Sequence, residues 1–518
     1  MPHTGLDVVD PGLSPVASVV AVLLVTTATV AVGAFGLRLS CTTSDFYVAG
    51  RAVTPGWNAS AISGEYLSAA SFLGVAGLVL TAGTDMLWFP VGYTAGYLVL
   101  LVLVAAPLRR SGAYTLPDFA EARLESPQVR TAASLLVVGI GWLYLMPQLQ
   151  GAGLALRAVT GAPRWVGGAV VAVVVLLNVA AGGMRSITFV QAFQYWLKLT
   201  AIAVPLFFVL LVWHSQGAPS PAAAADGAAW VTPLSGTGGR QHPLYGTYSI
   251  VLALFFGTMG LPHVLVRFYT NPDGRGARRT TLVVIALLGA FYLFPPVYGA
   301  LGRVYAPDLV ASGQADTVVL LLPSRLVPGL GGQLLSALTT AGAFAAFLST
   351  SSGLTMSIAG VLHQDLRRRR TGRARPDTLR GFRAATVFAI TVPLALAVTS
   401  GSLSLADTVG LAFAVAASTF CPLLVLGIWW RRLTRTGALA GLVTGGGLAS
   451  AAVLTTMAGL AGDGWGGSLL AQPAAWTVPL AFAVMVTVSL ATPSSLPPNV
   501  SRTMVRLHTP EEVAVDRR

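Results

Sequence analysis

The chain contains 518 residues, of which 54% are hydrophobic and only 10% are charged, and its mean hydropathy is +0.72. A soluble chain of this length normally carries about 25% charged residues and divides into several domains. The composition therefore excludes an ordinary soluble protein and predicts an all-α integral membrane protein. The net charge of +13 would suit a nucleic-acid partner, but the basic residues follow the topology of a membrane protein instead.

A membrane-spanning helix requires about 20 predominantly apolar residues, and the sequence contains thirteen such runs. They lie at residues 14–37, 57–81, 86–107, 130–157, 165–182, 188–213, 246–268, 281–302, 332–361, 382–400, 405–430, 437–460 and 474–491. If the N-terminus is outside, 26 of the 32 lysine and arginine residues fall in cytoplasmic segments and five in external ones. This positive-inside bias predicts a multi-pass protein of the bacterial cytoplasmic (inner) membrane, with the N-terminus outside and the C-terminus inside.

The order of the spans predicts an inverted repeat, because spans 2–6 begin on the cytoplasmic side and spans 7–11 begin outside. Each half opens with an irregular helix, S-G-E-Y-L-S in span 2 and F-F-G-T-M-G-L-P-H in span 7. Interrupted helices at matching positions indicate a binding site near the middle of the membrane. The predicted organisation is an extra N-terminal helix (1–40), a first repeat (41–215), an external loop (216–245), a second repeat (246–430), two C-terminal helices (431–492) and a cytoplasmic tail (493–518).

Glu65 is the only acidic residue that this topology places deep inside a span, within an otherwise uncharged stretch at 57–80. Because a charged side chain in the bilayer is costly, it usually faces a cavity, a partner or an ion. Three interpretations of Glu65 stay open: it attracts a cation, it exchanges protons as the coupling residue, or it bonds structurally to an opened backbone. Lys198, the only basic residue placed deep inside a span, is a candidate partner for Glu65, for a helix end or for an anion.

Small and hydroxyl-bearing residues surround the irregular helix of span 2 and occupy span 9. Ser63, Gly64, Ser68 and Ser71 flank the acidic residue, and span 9 contains A-F-L-S-T-S-S-G at 346–353. Such hydroxyls often bond only to their own helix or to a neighbouring one. Combined with the carbonyl groups of an interrupted helix, they would also supply oxygen ligands for a small cation, and the N-terminus of a half-helix would attract an anion.

Five segments of the chain resemble one known family. They are D-F-Y-V-A-G-R (45–51), G-E-Y-L-S-A-A-S-F-L-G (64–74), F-G-T-M-G-L-P-H-V-L-V-R-F (256–268), Q-D-L (364–366) and V-G-L-A-F-A-V-A-A-S (409–418). Over roughly residues 40–490 the sequence is similar to the sodium:solute symporter family, above all to its cation/acetate (monocarboxylate) branch. The resemblance implies a LeuT-like 5+5 inverted-repeat core with one extra helix before it and two after it, and uptake of acetate or a similar monocarboxylate with sodium.

The resemblance also implies a sodium site. Its ligands would be the carbonyl groups of Gly64, Leu67 and Ala346 and the hydroxyl groups of Ser349 and Thr350. The chain departs from the acetate branch in two places, because that branch often has aspartate at the position of the glutamate in span 2 and is apolar around the hydroxyls of span 9. The proline and sugar branches carry those hydroxyls, which favours a sodium site and weakens acetate as the sole substrate.

Candidate substrate-binding residues border the two interruptions. They are Tyr66, Ser68, Ser71, Gln148, Phe256, Thr258 and Met259. Simple helix packing is an alternative interpretation of the phenylalanine and the methionine. Pro262 is expected to kink span 7, because proline removes a backbone donor. For His263 a structural hydrogen bond near the cytoplasmic end is favoured over a proton relay.

The sequence therefore predicts a transporter and not an enzyme: a secondary active symporter that couples sodium influx to uptake of acetate or a related short-chain monocarboxylate. No Walker-type motif occurs, which favours an ion gradient as the energy source. The alternatives are proton coupling, another substrate such as pyruvate, propionate, proline or a sugar, a membrane sensor, or a membrane hydrolase with clustered acid and histidine residues. Sodium, the solute and membrane lipid are the expected partners; a cofactor, a transition metal, nucleic acid and an obligate protein partner are not expected.

Overall fold

The computed structural model describes residues 14–37, 53–223, 227–235, 241–371, 379–399 and 404–513. Within these ranges the regular secondary structure is helical, which confirms the predicted all-α class. The family-like segment at 45–51 lies outside the described residues.

The first half of the chain builds α1 to α9. They are α1 (Ser14–Leu37), α2 (Pro55–Tyr66), α3 (Val75–Ala82), α4 (Trp88–Leu103), α5 (Ala105–Arg110), α6 (Leu116–Leu124), α7 (Pro127–Thr160), α8 (Arg164–Ser215) and α9 (Gly227–Val231). A π-helix at Ala70–Gly74 precedes α3 directly. α8 consists of two helices, because Gly183 adopts φ 61° and ψ −173° and interrupts it.

The second half builds α10 to α22. They are α10 (Pro243–Thr258), α11 (Pro262–Phe268), α12 (Gly274–Tyr292), α13 (Pro295–Tyr305), α14 (Asp308–Ala311), α15 (Val318–Leu326), α16 (Gly329–Thr371), α17 (Leu379–Thr399), α18 (Leu405–Trp429), α19 (Arg435–Met457), α20 (Gly464–Ala471), α21 (Ala474–Ala491) and α22 (Val500–His508).

Eleven segments of the described chain are long and apolar enough to cross a membrane, compared with the thirteen runs expected from the sequence. The difference has two sources. Spans 2 and 3 merge into one apolar segment at Ala70–Leu103, and span 5 is represented by the shorter apolar helix Arg164–Ala180. The chain is a multi-pass membrane protein.

The first interruption separates α2 from the π-helix. Pro55 occupies the first turn of α2, where a missing N–H costs nothing, and the helix ends at Tyr66. Leu67 then adopts φ −71° and ψ 88°, outside the helical region. The π-helix that follows is a local form that is frequent at functional sites. Carbonyl groups of α2 are thereby exposed to side chains of other helices.

The second interruption separates α10 from α11. Leu261 has φ −74° and ψ 115°, because the ring of the following proline disfavours a helical conformation for the residue before it. Pro262 then begins α11. The sequence predicts a kink in span 7 at this proline. The structure shows instead that one helix ends at Thr258 and a second begins at Pro262.

The interrupted helices lie inside the bundle. α2 packs against α8 and α12, while the continuous helix α16 packs against α8, α7 and α1. On the other side, α10 packs against α18 and α4. Both interruptions therefore face buried side chains of neighbouring helices.

Candidate functional site

Carbonyl oxygens at the end of α2 are bound by the ammonium group of Lys198, which projects from α8. Its Nζ atom donates to the carbonyl of Gly64 and to the carbonyl of Leu67 at 2.8 Å. It also donates to the Ser349 hydroxyl of α16 at 2.6 Å. Lys198 is 0% exposed. Three of the five oxygens assigned to sodium from the sequence thus converge, and a lysine ammonium binds all three.

The remaining two residues of that set, Ala346 and Thr350, form other hydrogen bonds. The Ser349 hydroxyl donates to the carbonyl of Ala346 at 3.0 Å. The Thr350 hydroxyl donates to the carbonyl of Glu65 at 2.5 Å. The hydroxyl run of span 9 therefore ties α16 to the opened end of α2.

The Glu65 carboxylate forms a buried ion pair with Arg267 of α11, with 2.7 Å between Oε2 and Nε. The same guanidinium donates to the Thr188 hydroxyl at 2.7 Å and to the Gln191 side-chain oxygen. Gln191 in turn donates to the carbonyl of Ser349 at 2.8 Å. A network of buried hydrogen bonds therefore joins both interrupted helices to α8 and α16.

This pairing corrects two predictions. The charge count places Arg267, at the end of span 7, in a cytoplasmic segment, yet this residue is only 1% exposed. The candidate pair of Glu65 and Lys198 is replaced by separate partners, because the guanidinium offers the carboxylate a direct hydrogen-bonded contact. The three buried charges sum to one excess positive charge.

A hydrogen bond between side chains joins the two interruptions. The Tyr66 hydroxyl lies 2.9 Å from the Thr258 hydroxyl at the end of α10 and donates to the carbonyl of Tyr93 at 3.2 Å. Around this contact, aromatic rings form a wall. Tyr66 meets Tyr97 edge to face with ring centroids 4.9 Å apart, and Tyr93 meets Phe413 at 5.2 Å.

The other candidate substrate residues divide into two groups. Gln148 accepts a hydrogen bond from the Ala69 amide at 2.8 Å, and the Ser71 hydroxyl lies 2.8 Å from the hydroxyl of Tyr292. Met259 is fully buried in the second interruption. Phe256 differs from these, because its ring is partly exposed and packs against Phe255 with centroids 5.3 Å apart.

Several buried polar groups between the interruptions have no hydrogen-bond partner in the structure. They include the Tyr97 hydroxyl and both ring nitrogens of His263. The imidazole instead packs edge to face on Tyr144 with centroids 5.2 Å apart. The expected structural hydrogen bond of His263 is therefore wrong. Unpartnered buried polar groups are rare, so these side chains are candidates to bind a polar solute.

A vestibule of about 760 Å³ opens between α3, α7 and α8. Its lining includes Leu149, which follows the buried glutamine of α7, and the two basic residues Arg157 and Arg164. Asp316 also lines it and accepts a hydrogen bond from the Leu405 amide at 3.1 Å. Burial raises the pKa of the Asp316 carboxyl to about 6. The vestibule thus presents more positive than negative side chains.

The sequence interpretation missed Arg267, Gln191 and Tyr97 as members of the site. A periodic signal exists for one of them. Thr188, Gln191 and Lys198 are separated by three and seven residues, which places polar groups on one face of an otherwise apolar helix. Such a polar stripe inside a span indicates a buried functional face.

Curated relatives support a role in transport. The chain is 34% identical to the protein named Uncharacterized symporter YwcA of Bacillus subtilis over 465 residues, covering 86% of this chain and 89% of the relative. It is also 34% identical to a protein of Corynebacterium glutamicum named Monocarboxylic acid transporter over 502 residues, covering 90% and 89%.

Solved structures share the fold. A Na⁺-coupled sialic acid symporter in an outward-open state matches with a TM-score of 0.67 at 15% identity, covering 92% of this chain and 98% of that one. Mhp1, a nucleobase-cation-symport-1 family transporter in a closed conformation, matches with a TM-score of 0.53 at 14% identity, covering 90% and 99%. The LeuT-like fold expected from the sequence is confirmed.

The relatives are transporters, and this chain is a transporter rather than an enzyme. The sequence model of the Sodium:solute symporter family matches residues 46–445, so the chain belongs to that family.

Proposed function

We propose that this chain imports acetate or a related short-chain monocarboxylate together with a coupling cation by alternating access. The observation that carries the proposal is the pair of buried, unpartnered polar side chains near the two helix interruptions, namely Tyr97 and His263. A carboxylate only accepts hydrogen bonds, whereas hydroxyl and imidazole N–H groups donate them. A small carboxylate placed there would satisfy donors that the protein alone leaves unpaired.

Electrostatics favour the same class of solute. The buried charges of Glu65, Arg267 and Lys198 leave one excess positive charge beside the site. Arg157 and Arg164 line the vestibule between α7 and α8. An entering anion is attracted by these charges and balances the buried excess. The name of the Corynebacterium glutamicum relative, Monocarboxylic acid transporter, supports this solute class as well.

Sodium is the coupling cation that the sequence and the family name suggest. The oxygens assigned to it are those of Gly64, Leu67 and Ser349, and the structure shows them bonded to a lysine. The proposed solute does not depend on which cation drives its uptake, so solute and cation are tested separately.

Counterflow in proteoliposomes tests the solute without any ion gradient. Vesicles loaded with unlabelled pyruvate should take up labelled pyruvate, and external acetate or propionate should compete while proline and glucose should not. Pyruvate is the preferred label, because undissociated acetic acid crosses lipid unaided. Protein-free liposomes are the blank. Competition by proline or glucose, with none by acetate, would overturn the proposed solute class.

A matched pair of variants locates the solute. Tyr97→Phe removes an unpartnered hydroxyl, so we expect unchanged thermal stability and about a tenfold higher half-saturating concentration, since a hydrogen bond to a charged group contributes about 1.5–3 kcal/mol. Tyr298→Phe removes a hydroxyl that donates to the carbonyl of Ile202 at 3.1 Å. That control should lose stability and keep its affinity.

A further inference from the structure

We propose that the side chain of Lys198 takes the place of sodium in this transporter and that its amine carries a proton as the coupling ion. The inference deepens the proposed function and rests on it only for the identity of the solute. The geometry points to it, because one ammonium group binds the carbonyls of Gly64 and Leu67 and the hydroxyl of Ser349.

The ammonium group matches the site in number and type of contacts. A lysine ammonium has three N–H donors and no acceptor, and these three oxygens satisfy all of them. Lys198 is 0% exposed, so a sodium ion at the same oxygens would displace an ammonium group that is buried on every side. Two cations competing for one set of three oxygens exclude each other.

A tethered cation cannot itself be transported, but its proton can. A lysine ammonium releases a proton to become a neutral amine, whereas a sodium ion or an arginine in the same place has no such alternative. Lys198 is the only lysine of the chain. The position expected for sodium therefore holds a single titratable amine.

The neighbouring groups leave Lys198 without a carboxylate of its own. Glu65 of α2 lies nearby and is bound to Arg267 of α11. Tyr195, one turn before the lysine in α8, bonds to the carbonyl of Leu287, and Tyr298 of α13 bonds to a carbonyl of α8. α16 contributes the hydroxyl of Ser349 to the lysine. Among the described residues, the ammonium is held by neutral oxygens alone.

The proposed cycle balances its protons. With the site open to the outside, Lys198 is an ammonium group and one carboxylate anion binds. When α2 separates from α16 on opening to the inside, the ammonium loses its contacts with Gly64 and Leu67 and gives one proton to cytoplasmic water. The anion leaves, the neutral amine returns, and a proton from the outside restores the ammonium. One proton and one anion enter per cycle, without net charge movement.

Sodium binding tests the cation without any knowledge of the solute. Radioactive sodium is equilibrated with the purified full-length protein in detergent. We expect no saturable binding, because Lys198 occupies the oxygens. Saturable sodium binding by the wild-type protein would overturn the proposal. This result is independent of counterflow, so a wrong solute class and a wrong cation produce different failures.

Gradient-driven uptake tests the proton. Labelled pyruvate uptake is compared under an inward proton gradient and under an inward sodium gradient, with the membrane potential held at zero and protein-free liposomes as the blank. A gradient of one pH unit, equal to about 1.4 kcal/mol, supports about tenfold accumulation with one proton. Accumulation driven by sodium alone, or abolished when choline replaces sodium, would contradict the inference.

The variant Lys198→Ala should lose proton-driven accumulation entirely. Its pyruvate counterflow should persist at a higher half-saturating concentration, since exchange of bound solute does not require proton release but the anion loses the attraction of the ammonium group. Arg325→Ala, which removes an exposed arginine paired with Asp308, is the control and should behave as the wild type. Retained proton-driven accumulation in Lys198→Ala would overturn the role of the amine.

Spectroscopy of the wild-type protein provides a test that needs no variant. Isotopic labelling of lysine gives a single side-chain resonance, because the chain has one lysine. Its chemical shift should change with pH and with saturating pyruvate. A resonance that remains that of an ammonium group under all these conditions would exclude a proton-carrying lysine.

Discussion

The two helix interruptions have the same kind of opened backbone, but different groups lie against them. At the first one, charged side chains bind the opened backbone, with Lys198 on carbonyl oxygens of α2 and Glu65 paired with Arg267. At the second one, glycine backbone packs tightly on α18, and the nearby imidazole of His263 has no hydrogen-bond partner. We therefore propose that the first interruption carries the ion chemistry and that the solute contacts the second.

The largest expected effect follows from removing the arginine of the first interruption. Arg267→Ala would leave the Glu65 carboxylate buried without its cation, and breaking a buried pair in this way costs about 3–5 kcal/mol. We expect a large fall in the thermal unfolding midpoint of the purified protein in detergent. The exposed pair of Arg325 and Asp308 is the reference, because Arg325→Ala should cost about 0–1 kcal/mol.

A double variant sharpens this result. If the loss of stability in Arg267→Ala comes from an unpaired carboxylate, Glu65→Gln combined with Arg267→Met should recover much of that stability. The two neutral side chains carry no desolvation penalty for a buried charge. Equal midpoints for Arg267→Ala and Arg325→Ala would show that the buried pair contributes nothing to the first interruption.

The next effect tests how closely α16 approaches the first interruption. A Cβ atom at Gly353 would collide with Oε1 of Glu65 and lie 2.8 Å from its Cγ atom. Gly353→Ala should therefore displace the carboxylate from the guanidinium and cost about 1–3 kcal/mol. Gly360 of the same helix has nothing within 4 Å of such an atom, and Gly360→Ala should be neutral or stabilising by up to about 1 kcal/mol.

Transport assays test whether the substitution at Gly353 affects ion coupling as well as stability. Gly353→Ala should weaken gradient-driven accumulation more than counterflow, because the displaced network binds the ion-coupling helices. If Gly353→Ala and Gly360→Ala have equal stability and equal accumulation, α16 does not hold the Glu65 carboxylate in place.

The sequence predicts where the helices are interrupted better than it predicts which side chains bind at the interruptions. Pro262 and the run around Gly64 are local signals, because proline and small polar residues act on the backbone where they stand. The partners of Glu65 and Lys198 are set by the rotation of α8 and α11 against α2, which involves contacts between residues 131 to 202 positions apart. No local pattern encodes such a contact.

Charge counting also has a physical limit here. The positive-inside rule describes loops and helix ends, and it correctly separates most basic residues from the spans. It cannot distinguish an arginine at the membrane surface from Arg267, which sits one half-helix beyond a break and is drawn inward by a buried carboxylate. The polar spacing of Thr188, Gln191 and Lys198 is the signal that compensates for this limit.

At the second interruption, the corresponding test uses the contact between α10 and α18. A Cβ atom at Gly260 would lie 2.5 Å from the carbonyl oxygen and 2.9 Å from the carbonyl carbon of Ala416. Because backbone atoms cannot move aside as a side chain does, Gly260→Ala should cost about 1–3 kcal/mol. Gly289, with nothing within 4 Å, is the matched control.

The functional consequence of Gly260→Ala should differ from that of Gly353→Ala. We expect a higher half-saturating pyruvate concentration in counterflow and an unchanged preference between proton and sodium gradients. A changed cation preference would place ion chemistry at the second interruption as well, and the contrast between the two interruptions would fail.

The smallest effect concerns the hydrogen bond that joins the two interruptions. Thr258→Val removes the hydroxyl that lies 2.9 Å from that of Tyr66, and one such bond contributes about 0.5–1.5 kcal/mol. Thr391→Val is the control, because that exposed hydroxyl donates to the carbonyl of Val387 in its own helix. If the bond couples the two half-helices, Thr258→Val should lower the rate of counterflow beyond its small loss of stability, because solute bound near α10 then no longer acts on the lysine-bound end of α2. A counterflow rate equal to that of Thr391→Val would show that the two interruptions move independently of this contact.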